Sequence, residues 1–162
     1  MKSSITYCLA TLLILIMTII QQSLLGQWVV FGCSLDYVLA TTMALCMLAE
    51  IGMALSIAFI AGLVYGGVAG VNVTHYIISF LCALLVLHYT TKLEIEHRAI
   101  PIIFFGFLAS CITKLILLFL APPATIFPYL YTIIGTSLYN GMFAAFIYFL
   151  LRPIFRTKTA WQ

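Results

Sequence analysis

The sequence predicts an all-α integral membrane protein, a bundle of six transmembrane helices, and three observations carry that prediction. Of its 162 residues, 65% are hydrophobic and only 7% charged, whereas ordinary soluble domains are roughly half apolar and a quarter charged. Seven Lys/Arg and four Asp/Glu cannot cover a water-facing surface, so lipid must be the main solvent. The apolar residues also fall in runs close to the ~20 that a helix needs to cross the hydrocarbon core. Finally, the basic residues collect in breaks that a six-span path brings to one side of the membrane.

The first span covers residues 4–25, preceded by Lys2. Its apolar run continues into Gln21, Gln22 and Leu24 without a small-residue cleavage site, which favours an uncleaved helix over a signal peptide. A polar loop follows over residues 26–34. The stretch 35–69 is too long for one span and short for two, and Glu50 and Gly52 divide it. It is expected to form two short or tilted helices, 35–49 and 51–69, joined by a tight turn, with a re-entrant pair as the alternative to full crossing. Three further spans follow at 71–91, 99–121 and 129–151. Residues 122–128 hold three prolines and should be extended and stiff, or serve simply as a helix stop.

Charge sets the parity. Lys2 lies before the first span, Lys92 and Arg98 lie between the fourth and fifth, and Arg152, Arg156 and Lys158 lie at or beyond the end of the last. The segments 26–34 and 122–128 contain no basic residue. Because Lys and Arg accumulate in short cytoplasmic segments, all three clusters share one side only if 35–69 turns back as a hairpin. Six spans with both termini cytoplasmic satisfy every basic residue except Lys114.

Several function classes are disfavoured. A net charge of +3 with dispersed basic residues offers no face for nucleic acid. Cys8, Cys33, Cys46, Cys82 and Cys111 include no C-x-x-C pair and no histidine at zinc spacing, so neither metal nor disulfide framework is indicated. His75 and His88 lie thirteen positions apart on one helix and cannot form a site alone. No H-E-x-x-H, phosphate-binding glycine loop or G-x-S-x-G is present, so neither an enzyme nor a cofactor is expected. A channel would want pore-lining polar residues on several helices, and these too are missing from the sequence.

Three sets of residues stand out. Ala54, Ala58, Gly62, Gly66 and Gly70 recur at four-residue spacing, giving the third helix a face of small side chains. Such a face lets helix backbones approach closely in lipid, either against a helix of the same chain, the favoured reading, or against a partner. Lys114 lies inside the fifth span, where an ammonium costs roughly 2.5–3.5 kcal/mol unless paired or in reach of water. Asp36, at the head of the second helix, is the better-placed counter-ion than Glu50, with snorkelling to the surface as the other option. Gly106, Ser110 and Lys114 share a face, which turns the lysine towards other helices. Asn140 falls mid-way along the last span and should bond across to a neighbouring helix. Glu94, Glu96 and Arg98 form a mixed-charge cytoplasmic loop, either a solvated turn or a contact for a cytoplasmic partner.

The order of these features, with the segments Leu35-Asp36-Tyr37-Val38-Leu39, Ala61-Gly62-Leu63-Val64-Tyr65-Gly66-Gly67 and Ser137-Leu138-Tyr139-Asn140-Gly141-Met142-Phe143, resembles the rod shape-determining protein MreD family along nearly the whole chain. The chain departs from that family at Leu35, where proline is common, and at Tyr65 and Lys114, where acidic groups are more usual. The resemblance implies a non-enzymatic scaffold of the bacterial inner membrane. Its implied partners are MreC, the glycosyltransferase RodA with its class B penicillin-binding transpeptidase, MreB filaments directly or indirectly, and membrane lipid. The family also looks like the six-helix substrate-binding subunits of energy-coupling-factor transporters, which gives a rival expectation: a small-molecule-binding subunit whose pocket is lined by Lys114, Asp36 and Asn140.

Overall fold

The structure is a computed structural model, and it describes residues 2–23, 29–30, 32–69, 72–91, 99–123 and 125–155. Among these residues there are six helices and one two-stranded hairpin: α1 (Lys2–Gln22), β1 (Val29–Val30), β2 (Cys33–Ser34), α2 (Tyr37–Leu48), α3 (Ile51–Ala69), α4 (Val73–Thr91), α5 (Ala99–Leu120) and α6 (Ile126–Phe155). Helices α1, α3, α5 and α6 are each long and apolar enough to cross a membrane. The chain is therefore all-helical in its main elements, with the make-up of a multi-pass membrane protein. The ends joined by 22–37, 69–73 and 120–126 form the upper end of the bundle, and the others form the lower end.

Helix α2 is the centre of the bundle. It packs against every other helix, and each residue from Val38 to Leu48 is buried. Its sequence explains this: a helix apolar on all sides, with only threonines as polar members, has no solvent face and belongs in an interior. Thr42 satisfies its hydroxyl within the helix by donating to the Val38 carbonyl at 2.7 Å. Twelve residues rise about 18 Å, less than a ~30 Å hydrocarbon core, which a helix enclosed by five others can tolerate. The surrounding helices carry the lipid-facing side chains, such as Leu12 and Ile19 on α1 and Leu138, Met142 and Phe146 on α6, all exposed.

The small-residue face of α3 is spent inside the molecule. Ala54, Ala58, Gly62 and Gly66 are buried, and a Cβ added at Gly62 would lie 2.7 Å from the Ile77 Cα, while one at Gly66 would lie 2.9 Å from the Val73 Cα. Backbone rests on backbone between α3 and α4, so the described part of this face packs within the chain, the first of the two readings, and does not serve as a face for a partner protein. Gly70 lies outside the described residues. Helices α5 and α6 touch equally closely, because a Cβ at Gly141 would meet the Ile103 carbonyl oxygen at 2.6 Å.

Two segments differ from expectation. Residues 29–30 and 33–34, read as part of a polar loop, pair as a two-stranded hairpin with Val30 opposite Cys33, and Gly32 lies at φ 77°, where only glycine sits without cost. Cys33 is buried against α6, seated on Gly135, where any side chain would run into its Sγ. Phe127 and Pro128, expected in an extended loop, belong to the first turn of α6. Proline is welcome there because a first-turn N–H has no intrahelical acceptor.

Candidate functional site

The head of α2 brings together polar residues of three helices. Asp36 is the N-cap of α2: its Oδ1 accepts from the Leu39 N–H at 3.0 Å, satisfying one of the donors that a helix start leaves free. Its Oδ2 pairs with Lys114 Nζ of α5 at 3.1 Å, and its main-chain N–H donates to Asn140 Oδ1 of α6 at 2.9 Å. The Asn140 amide then donates to Ser110 Oγ of α5 at 2.8 Å. Asp36, Ser110 and Asn140 are all buried. One carboxylate and one amide thus tie three helices together at a single level.

Gln21, near the end of α1, completes the clasp. Its Oε1 accepts from the Tyr37 N–H at 2.6 Å and its Nε2 donates to the Leu35 carbonyl at 3.4 Å. The Tyr37 ring stands edge-on to Phe143 of α6, with centroids 5.4 Å apart.

Near this network lies a cluster of phenols. Tyr65 of α3 and Tyr76 of α4 meet edge to face at 5.0 Å. Tyr65 is within electrostatic range of Asp36, and Tyr76 and Tyr129 are within that of Lys114.

The sequence-derived candidates separate into three groups. Asp36, Lys114 and Asn140 converge on one network. Ala54, Ala58, Gly62 and Gly66 form the α3–α4 contact, away from it. Glu94, Glu96 and Arg98 lie outside the described residues. Ser110 was legible only as a neighbour of Lys114 on one face, although it is the acceptor that fixes the Asn140 amide. Gln21, Tyr76 and Tyr129 were not singled out from the sequence as site residues, and Tyr65 stood out only as a departure from the family pattern. A glutamine in the last turn of a transmembrane helix was the available signal for the first, and nothing in the spacing of Tyr65, Tyr76 and Tyr129 announces that they meet.

Comparison with protein-family models, with curated proteins and with solved structures returns no match. The functional reading therefore rests on the residues and their geometry.

Proposed function

We propose that this protein is a non-enzymatic scaffold of the bacterial rod-shape machinery, of the MreD type, holding MreC and the peptidoglycan synthase in the inner membrane and linking them to MreB filaments. The observation that carries this reading is the convergence of the three segments on which the resemblance rests. Asp36 of the first bonds Asn140 of the third, Tyr37 meets Phe143 edge-on, and Tyr65 of the second lies within electrostatic range of Asp36. Segments drawn from distant parts of the chain meet at one point, which supports treating them as a single structural signature.

The network also suits a scaffold better than a transporter subunit. A small-molecule pocket needs free convergent polar groups, whereas both carboxylate oxygens of Asp36 and both ends of the Asn140 amide are bound within the protein. On this reading both termini and the 92–98 loop face the cytoplasm, the loop's Glu94, Glu96 and Arg98 being available to the MreB side, and MreC, RodA and its transpeptidase engage the exposed apolar helix faces. Depleting the protein from its own rod-shaped bacterium tests the proposal: cells should round up while growth in mass continues. Cells that stay rods through several generations without it would contradict the proposal.

A further inference from the structure

The Asp36–Lys114 pair is lopsided. Asp36 is 4% exposed, with one oxygen held by a main-chain N–H and the other by the lysine. The Lys114 side chain, by contrast, retains 20% of its exposure, and an ammonium has three donors, of which Asp36 takes one. The half of the pair that remains available is the cation.

Its surroundings offer further donors to an anion. Among the described residues, Asp36 is the one acidic residue of the upper end, and Glu50 sits in the α2–α3 turn at the lower end. Two phenols, Tyr76 and Tyr129, lie within electrostatic range of the ammonium from α4 and α6, and both are half-buried. Phenols donate hydrogen bonds to oxyanions.

Depth then selects the kind of anion. Lys114 is six residues short of the end of α5, about 9 Å along the helix. Its helical neighbours Ile112, Leu115, Ile116 and Leu117 are apolar. A soluble anion would have to leave water to reach this level, whereas a lipid brings its own phosphate to it.

We infer that Lys114, with Tyr76 and Tyr129, forms a binding site at the upper end of the bundle for the phosphoryl group of a membrane amphiphile. Asp36 is the positioning residue, which aims the ammonium and offsets the cost of keeping a charge in the membrane. The inference goes beyond the scaffold reading and does not depend on it.

The test is a native mass-spectrometric titration of the delipidated full-length protein in detergent with dioleoyl phosphatidic acid, using dioleoylglycerol as the phosphate-free control. The paired variant D36N/K114M leaves no unmatched buried charge. Loss of a charge-assisted contact predicts binding of phosphatidic acid weaker by about tenfold or more in this variant, and weaker by about threefold or more in Y76F/Y129F. R152Q, at the lower end, should bind as the unaltered protein does. Equal affinity in the unaltered protein and in a D36N/K114M protein of matching melting temperature would overturn the site. An equal loss in R152Q would overturn it as well, and glycerol 3-phosphate competing mole for mole would overturn the amphiphile.

Discussion

Asp36 and Asn140, 104 residues apart, meet through a main-chain bond: the N–H at the head of the central helix donates to the Asn140 amide oxygen at 2.9 Å. The bond is buried and lies where a helix start already leaves donors unpaired, so its loss exposes nothing to water and leaves a group unsatisfied. Replacing Asn140 with alanine should cost about 1–3 kcal/mol, read as a fall in detergent melting temperature. Ser110→Ala, which removes only the acceptor for the other end of the amide, should cost about 1 kcal/mol. Equal losses would mean that the amide is held mainly through Ser110.

The ion pair predicts strong coupling. Lys114→Ala leaves a buried carboxylate and Asp36→Ala leaves an ammonium inside a membrane helix, each costing about 3–5 kcal/mol when a buried partner is removed. The double variant should lose less than the sum, by a coupling of about 1–3 kcal/mol in a double-mutant cycle. Simple additivity would show that the 3.1 Å contact does not persist in the folded protein.

Close backbone contact predicts intolerance of side chains. Gly62→Leu must drive α3 away from Ile77 of α4, since even a Cβ sits at 2.7 Å, and Gly141→Ala must part α6 from Ile103 of α5. Gly141→Ala should cost about 1–3 kcal/mol, and Gly62→Leu should prevent folding, read as loss of the monodisperse peak on size exclusion. Gly67→Ala is the control, for a Cβ there meets nothing within 4 Å. A normal Gly62→Leu protein would mean that α3 and α4 are not so closely packed.

Thr41 predicts the opposite sign. It is fully buried on α2 and its hydroxyl makes no hydrogen bond, a state that costs about 1–3 kcal/mol. Thr41→Val replaces the hydroxyl with a methyl of similar size and should raise the melting temperature. A clear fall would show that the hydroxyl has a partner in the membrane.

Much of this architecture is legible in the sequence because membrane helices must satisfy their own backbone and announce themselves by length. The break at Glu50 and Gly52 is visible as polarity inside an apolar stretch, and the pairing of Lys114 with Asp36 is one of the two outcomes, beside snorkelling, that cost and depth allow. What the sequence does not show is which helix lies at the centre. Helix α2 is short, and its threonines read as tolerable in any apolar helix, so its burial emerges only from packing. The hairpin at 29–34 is hidden for a similar reason: two-residue strands carry no periodicity, and Cys33 reveals its place only through the space that Gly135 leaves. Asn140 is recognisable as a polar residue mid-span, but its acceptor role depends on a main-chain N–H that no side-chain pattern records.

The most direct test of the scaffold claim is affinity purification of the protein from its own membranes in mild detergent, with mass-spectrometric identification of the proteins that accompany it. The account predicts MreC, together with RodA and its transpeptidase. Recovery instead of a transporter's ATPases and coupling subunit would contradict it and make the head of α2 a substrate site.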